Sequence, residues 1–301
     1  MTWTLKSWQL FVLAVVIWGT TWHAIVYQLH ATTVEFSVAL RFLMAGGLAL
    51  AWGRWHSPWT RLSPKQHARL ALQGLFMYSV SYLCVYHAER FVPSGVVAVG
   101  YSASALILGL ASRGLWGTPL TVRFMVGAML CIAGVGLIFW PEVVGSTRHP
   151  DAHWGLGFTA AAVLLSAVGS LIASRNGAAG VPFWPALGWG MVYGSVFSWL
   201  WVAAAGGLPA WPDDIAWWLS LTYLAVFGSV VAFACYLALQ QRLGAAQAGT
   251  VGAATPVIAL LVSAAFEDYS PQLLSVVGAA MALWGNALAL GWRWPDRRNS
   301  R

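Results

Sequence analysis

Apolar stretches of about twenty residues alternate with short polar breaks along almost the whole chain. A helix rises ~1.5 Å per residue, so each stretch is long enough to cross the ~30 Å of hydrocarbon in a bilayer. The pattern predicts spans at 8–28, 34–52, 67–87, 91–112 and 121–140, then at 154–174, 184–205, 216–240, 245–266 and 271–291. The breaks between them are too short to be domains and read as tight turns. The first stretch is too long for the apolar core of a signal peptide and has no small-residue cleavage site after it, so it is read as a retained span.

The pattern also repeats. Arg90-Phe91 through Pro119 lines up with Arg242-Leu243 through Pro271 at a constant offset of 152, which sets Gly100 against Gly252 and Thr118-Pro119 against Ser270-Pro271. One residue then drops out, and GAMLCIAGVGLI (127–138) faces GAAMALWGNALA (278–289). So long a period does not suit a solenoid but suits a duplicated half of a membrane protein. The predicted fold is an all-α membrane protein of ten transmembrane helices, in two five-helix repeats at 8–140 and 154–291. Five is odd, so the two repeats enter the membrane in opposite directions.

Composition agrees: 59% of residues are hydrophobic and 8% charged, against about 25% charged in a soluble domain. Charge then orients the chain. With the N-terminus inside, all of the 16 Lys and Arg except Arg41, Arg90 and Arg148 fall in cytoplasmic segments. Both termini are therefore expected in the cytoplasm of a multi-pass inner-membrane protein. The net charge of +7 is mostly this loop bias and calls for no nucleic-acid partner. The basic segment 54–69 and the tail from Arg293 can touch anionic lipid. Cys84, Cys131 and Cys235 lie inside apolar runs with no metal-binding spacing and read as small core residues. No cofactor or metal is expected, and the sequence does not give the oligomeric state.

Four segments carry a family resemblance: IWGTTW (17–22), LRFLMAG (40–46), QRLGAAQAGTVGAATPVIALLVSAAFED (241–268) and GAAMALWGNALAL (278–290). With these, nearly the whole chain resembles the EamA type of drug/metabolite transporter, ten-helix carriers that include amino-acid and metabolite exporters. The resemblance implies a permease that exports small metabolites. There are departures: where the second repeat has Pro256 and Glu267, the first has Ser104 and Leu115. The small four-helix relatives carry a proton-coupling Glu in their first helix. Here that region reads WGTTWHA, which argues against a simple carboxylate-based antiport.

Candidate site residues are polar-tipped aromatics and hydroxyls at mid-depth. Trp18, Thr21 and Trp22 share one face of the first span, and Tyr78 and Tyr82 form a stripe on the third. With Tyr101 they are expected on one wall of a central cavity, opposite Tyr193, Tyr236 and Thr255. Buried separately, each hydroxyl would cost about 1–3 kcal/mol, whereas a shared wet cavity relieves all of them. Arg41, seven residues into its span, either meets a substrate carboxylate or snorkels outward to headgroups and loop carbonyls. Glu35 is poorly placed on the same helix to pair with it. His23 and His87 are either packed or proton-coupling, and Pro256 is either a gate hinge or a packing residue. Trp52, Trp55, Trp140, Trp154, Trp217, Trp218 and Trp292 read as interfacial anchors.

The expected function is a secondary transporter for small amphipathic metabolites such as amino acids, an exporter by resemblance, working by alternating access. The alternatives are a channel-like or non-transporting receptor and, least favoured, a membrane-embedded enzyme. The sequence has no HExxH, no intramembrane aspartyl pair, and Ala103 where a serine-protease motif at Ser102 needs glycine.

Overall fold

The computed structural model of the protein describes residues 5–56, 61–117, 119, 121–144, 151–266 and 272–289. All regular structure among these is helical: α1 (Ser7–Val26), α2 (Val34–His56), α3 (Pro64–Ala88), α4 (Ser94–Trp116), α5 (Val122–Val144), α6 (Ala152–Ala178), α7 (Phe183–Ala204), α8 (Ile215–Leu243), α9 (Ala245–Phe266) and α10 (Leu273–Ala289). Eight are long and apolar enough to cross a membrane, while the apolar stretches of α5 and α10, Val122–Ile138 and Leu273–Ala289, are shorter. The expected Glu267-Asp268 break, Trp292 and the basic tail lie outside the described residues.

Local chemistry sets the boundaries. Ser63 caps α3 by accepting from the Gln66 amide at 3.3 Å, the Gln66 side chain accepts from the Ser63 amide at 2.8 Å, and Pro64 follows. Asp214 caps α8 through the Ala216 amide at 2.8 Å. Gly117 ends α4 at φ 67°, where a side chain would be strained.

The outside of the bundle is as apolar as its core. Leu200, Leu219, Leu261 and Trp284 are all at least 60% exposed, as expected of surface that faces lipid. Since lipid is as apolar as leucine, helices associate by close packing, which glycines permit. A Cβ on Gly285 would strike the Gly127 carbonyl, and one on Gly134 the Gly278 carbonyl, so α5 and α10 meet backbone to backbone. Gly46 and Gly188 do the same for α2 and α7, and Gly74 and Gly194 for α3 and α7.

Two helices widen in mid-course. Residues Leu75–Val80 of α3 and Leu224–Val231 of α8 are π-helical. α4 is broken by a 3-10 turn at Tyr101–Ala103, and α9 runs through Pro256. Such irregular backbone is tolerated at membrane depth where it is buried or lines a cavity. One tryptophan departs from the sequence reading. Trp217 is fully buried, donates to Ser37 Oγ at 3.3 Å and stacks on Phe36, so it is a core residue and not an interfacial anchor. Trp52, Trp55, Trp140 and Trp154 are exposed, as anchors are.

Candidate functional site

Next to these irregular segments lies a cavity of about 70 Å³ within the bundle. Trp18, Thr21 and Trp22 of α1 and Arg41 of α2 line it, with Tyr82 of α3 and Tyr101 and Ser104 of α4. Ser166 and Ser170 of α6, Phe233 and Tyr236 of α8, and Gly249, Gly252 and Thr255 of α9 complete the wall. Eight of the ten residues expected from sequence therefore meet around one space.

Tyr78 and Tyr193 do not line it. Tyr78 is fully buried beside Phe42 and Phe233, with ring centroids 5.4 and 5.0 Å away. Tyr193 points elsewhere, its hydroxyl 2.8 Å from His67 Nδ1. A stripe at i, i+4 assumes a regular α-helical turn, and the wider π turn between Tyr78 and Tyr82 breaks that register.

The π segment of α8 builds the polar part of the site. A π turn leaves carbonyls without their usual i+4 partners, and side chains satisfy them here. The Ser229 hydroxyl donates to the Leu224 carbonyl at 2.9 Å, and Trp18 Nε1 donates to the Gly228 carbonyl at 3.0 Å. Arg41 then docks on the same segment: Nε donates to Ser229 Oγ at 3.0 Å and Nη1 to the Tyr86 hydroxyl at 3.3 Å. Its guanidinium also lies 4.7 Å from the centre of the Tyr82 ring. Arg41 is 1% exposed, so it turns inward and does not snorkel. Among the described residues no carboxylate lies within 4.0 Å of it. Glu35 instead meets His87 Nε2 at 3.3 Å, with the His87 ring stacked on Phe158.

The rest of the wall is aromatic and hydroxyl. Trp18 packs against Phe233 and Tyr236 at 5.0 and 5.3 Å, and Trp22 against Tyr101 at 5.3 Å. Trp22 Nε1 is buried and has no partner among the described residues. Thr21 and Thr255 donate to their own helices, at the Trp18 and Val251 carbonyls, and present only oxygen lone pairs to the cavity. Pro256 does not line the cavity, but it has no N–H to offer the carbonyl of Gly252, which does. Toward the end of the bundle that carries Lys65, Arg175 and Arg242, the cavity is closed by a hydrogen-bonded layer. Ser170 Oγ is 2.7 Å from the Tyr236 hydroxyl, and Gln240 Nε2 donates to Ser170 Oγ at 2.8 Å and to its carbonyl at 2.9 Å.

The sequence reading missed Ser104, Ser166 and Ser170 as lining residues, whereas Phe233 falls on the inward stripe expected of the eighth span with Ser229 and Tyr236. The i, i+4 spacing of Ser166 and Ser170 was the available signal for the pair on α6, although hydroxyls in an alanine-rich span often bond only their own backbone. Among the described residues there is no group of His, Cys, Asp or Glu suited to a metal ion.

The wall is that of a small-molecule pocket, with one buried cation among aromatic rings inside an apolar helical bundle. The family comparison decides what the bundle is: residues 6–140 and again 153–291 match the EamA-like transporter family. The chain belongs to that family. Protein PagO of Salmonella typhimurium is 25% identical over 268 residues, 86% of this chain and 83% of PagO. The inner membrane transporter YedA of Escherichia coli K12 is 30% identical over 257 residues, 82% of this chain and 78% of YedA. A solved crystal structure superposes with a TM-score of 0.72 at 20% identity, covering 94% of this chain and 96% of that one, and so shares the fold. This EamA-like chain is a multi-pass membrane transporter, and the cavity is an internal space walled by aromatic rings, hydroxyls and Arg41.

Proposed function

We propose that the protein is a secondary carrier that exports small amphipathic metabolites, amino acids among them, across the inner membrane by alternating access. The observation that carries this reading is Arg41. An unpaired cation in hydrocarbon costs several kcal/mol, yet Arg41 is buried on the cavity wall with two neutral hydroxyl partners. A substrate carboxylate completes its coordination, and the rings of Trp18, Trp22, Tyr82, Tyr101 and Tyr236 cover an apolar or aromatic body. Trp22 Nε1 offers one further donor.

Alternating access accounts for the small volume. A water needs about 10–15 Å³ on this measure, so the cavity holds only a handful, and a metabolite requires the walls to part. The Ser170–Tyr236–Gln240 layer is the barrier on one side, and Pro256 is the hinge that lets α9 bend. We read 8–140 and 154–291 as two inverted five-helix repeats, giving ten spans with both termini cytoplasmic. The glycine contacts support this. A shift of 151 residues carries Gly127 to Gly278 and Gly134 to Gly285, so the Gly127–Gly285 contact becomes Gly278–Gly134, as a two-fold axis requires. The two-part family match has nearly the same limits.

Counterflow in proteoliposomes tests the carrier reading. Vesicles preloaded with substrate should accelerate its labelled uptake, with saturation. Linear, non-saturating flux would indicate a channel, and no flux a receptor.

A further inference from the structure

Among the described residues that line the cavity, Arg41 is the one charged side chain, and no carboxylate or histidine joins it there. Nearby acids are held elsewhere: Glu35 faces His87 at 3.3 Å, and Glu89 follows the last turn of α3 and does not line the cavity. Asp151, Asp213 and Asp214 are exposed. The remaining polar groups of the wall are neutral. Thr21 and Thr255 donate their protons to the Trp18 and Val251 carbonyls, and Ser104 donates to the Tyr101 carbonyl, so these three have oxygen lone pairs left. Trp22, also on the wall, keeps an Nε1–H with no partner among the described residues.

The wall thus carries a single positive charge and no negative one, which separates two kinds of carboxylate ligand. An amino acid is net neutral. When its carboxylate meets Arg41, its ammonium, two bonds from the carboxyl carbon, arrives beside the same guanidinium. That ammonium leaves water, gains no counter-charge, and is repelled by a like charge across a space of low dielectric. Lone pairs and ring faces return only part of this cost, and Arg41 already lies over the Tyr82 ring at 4.7 Å. An acid with hydrogen or a hydroxyl at that position is singly negative. It neutralises Arg41 with no second ion to desolvate, and a hydroxyl both accepts and donates, matching the neutral donors and acceptors of the wall.

We propose that the cavity selects organic monoanions: an apolar or aromatic body with one carboxylate and, on the neighbouring carbon, hydrogen or a hydroxyl in place of an ammonium. Free amino acids are then the weaker ligands, and the matching hydroxy acids and arylalkanoates the stronger ones. The proposal rests on the carrier reading in taking this cavity for the substrate site. The binding preference follows from the charges of the wall and can be measured without transport.

The test is ligand-observed saturation-transfer NMR on the full chain in nanodiscs, with empty nanodiscs as reference. The probes share one body: phenyllactate and phenylpropionate, both singly negative, and phenylalanine, which is net neutral. Both acids should bind saturably and phenylalanine about tenfold more weakly or worse, a difference of about 1.4 kcal/mol. In Arg41→Gln the preference for the acids should vanish. Equal or tighter binding of phenylalanine, no saturable binding of either acid, or an acid preference that survives in folded Arg41→Gln would each overturn the proposal. If Arg41→Gln does not fold, the ranking of the three probes on the unaltered protein still decides it. Acids that bind in this order yet show no counterflow in proteoliposomes would sink the carrier reading and leave the proposal standing.

Discussion

The π segments of α3 and α8 are the same backbone device put to different uses. In α8, Leu224–Val231 receives side chains from two other helices: Trp18 on the Gly228 carbonyl and Arg41 on Ser229. In α3, Leu75–Val80 is closed by packing. A Cβ on Gly169 would lie 2.6 Å from Met77 Cβ, one on Gly194 would lie 2.6 Å from Tyr78 Cβ, and Ser79 meets Ser198 at 2.9 Å. A widened helix thus receives polar side chains where neighbours supply long donors, and becomes a tight joint where they supply glycine. The two halves of the protein therefore need not move alike.

The contrast can be broken from either side. Arg41→Gln should reduce transport most, by about 10–100-fold, because a hydrogen bond to a charged group contributes about 1.5–3 kcal/mol. Membrane abundance and melting temperature, measured alongside, should stay close to those of the parent. Gly169→Leu, at the packed segment, should do the reverse in kind. Overpacking costs about 1–3 kcal/mol, so a lower melting temperature in detergent is expected, and an unchanged one would refute the close-joint description.

Smaller effects sharpen the picture. Trp18→Phe keeps an aromatic ring but loses the bond to the Gly228 carbonyl, so a change of about 2–10-fold in apparent affinity is expected at equal expression. Tyr82→Phe should likewise shift apparent affinity, and Tyr78→Phe should not, since only Tyr82 lines the central cavity. The smallest effect belongs to Glu35→Gln. Its carboxylate faces His87 away from Arg41, and most transport should survive. Abolished uptake by a folded Glu35→Gln protein would make this pair part of the coupling mechanism.

Much of this was legible in the sequence. The helix limits follow from apolar runs and their caps, and the cavity from polar-tipped aromatics that have nowhere else to go in hydrocarbon. The π segments were not legible, because LFMYSV and LAVFGSVV carry no residue that forces a wide turn. That omission explains why Tyr78 was expected beside Tyr82. Tyr193 was misplaced for a different reason: depth along a helix says nothing of which neighbour a side chain meets, and His67 took its hydroxyl. Trp217 fell near a predicted boundary but found a stacked Phe36 and an acceptor in Ser37, contacts that exist only once α2 and α8 pack.

The central claim, that Arg41 and its aromatic wall hold the exported molecule, is tested most directly by untargeted metabolite profiling of culture medium. Cells lacking the transporter would be supplied with either the parent protein or Arg41→Gln at matched membrane levels. The parent should enrich the medium in small carboxylate-bearing amphipathic metabolites, and Arg41→Gln should not. Equal export of the same compounds by both proteins would contradict the account.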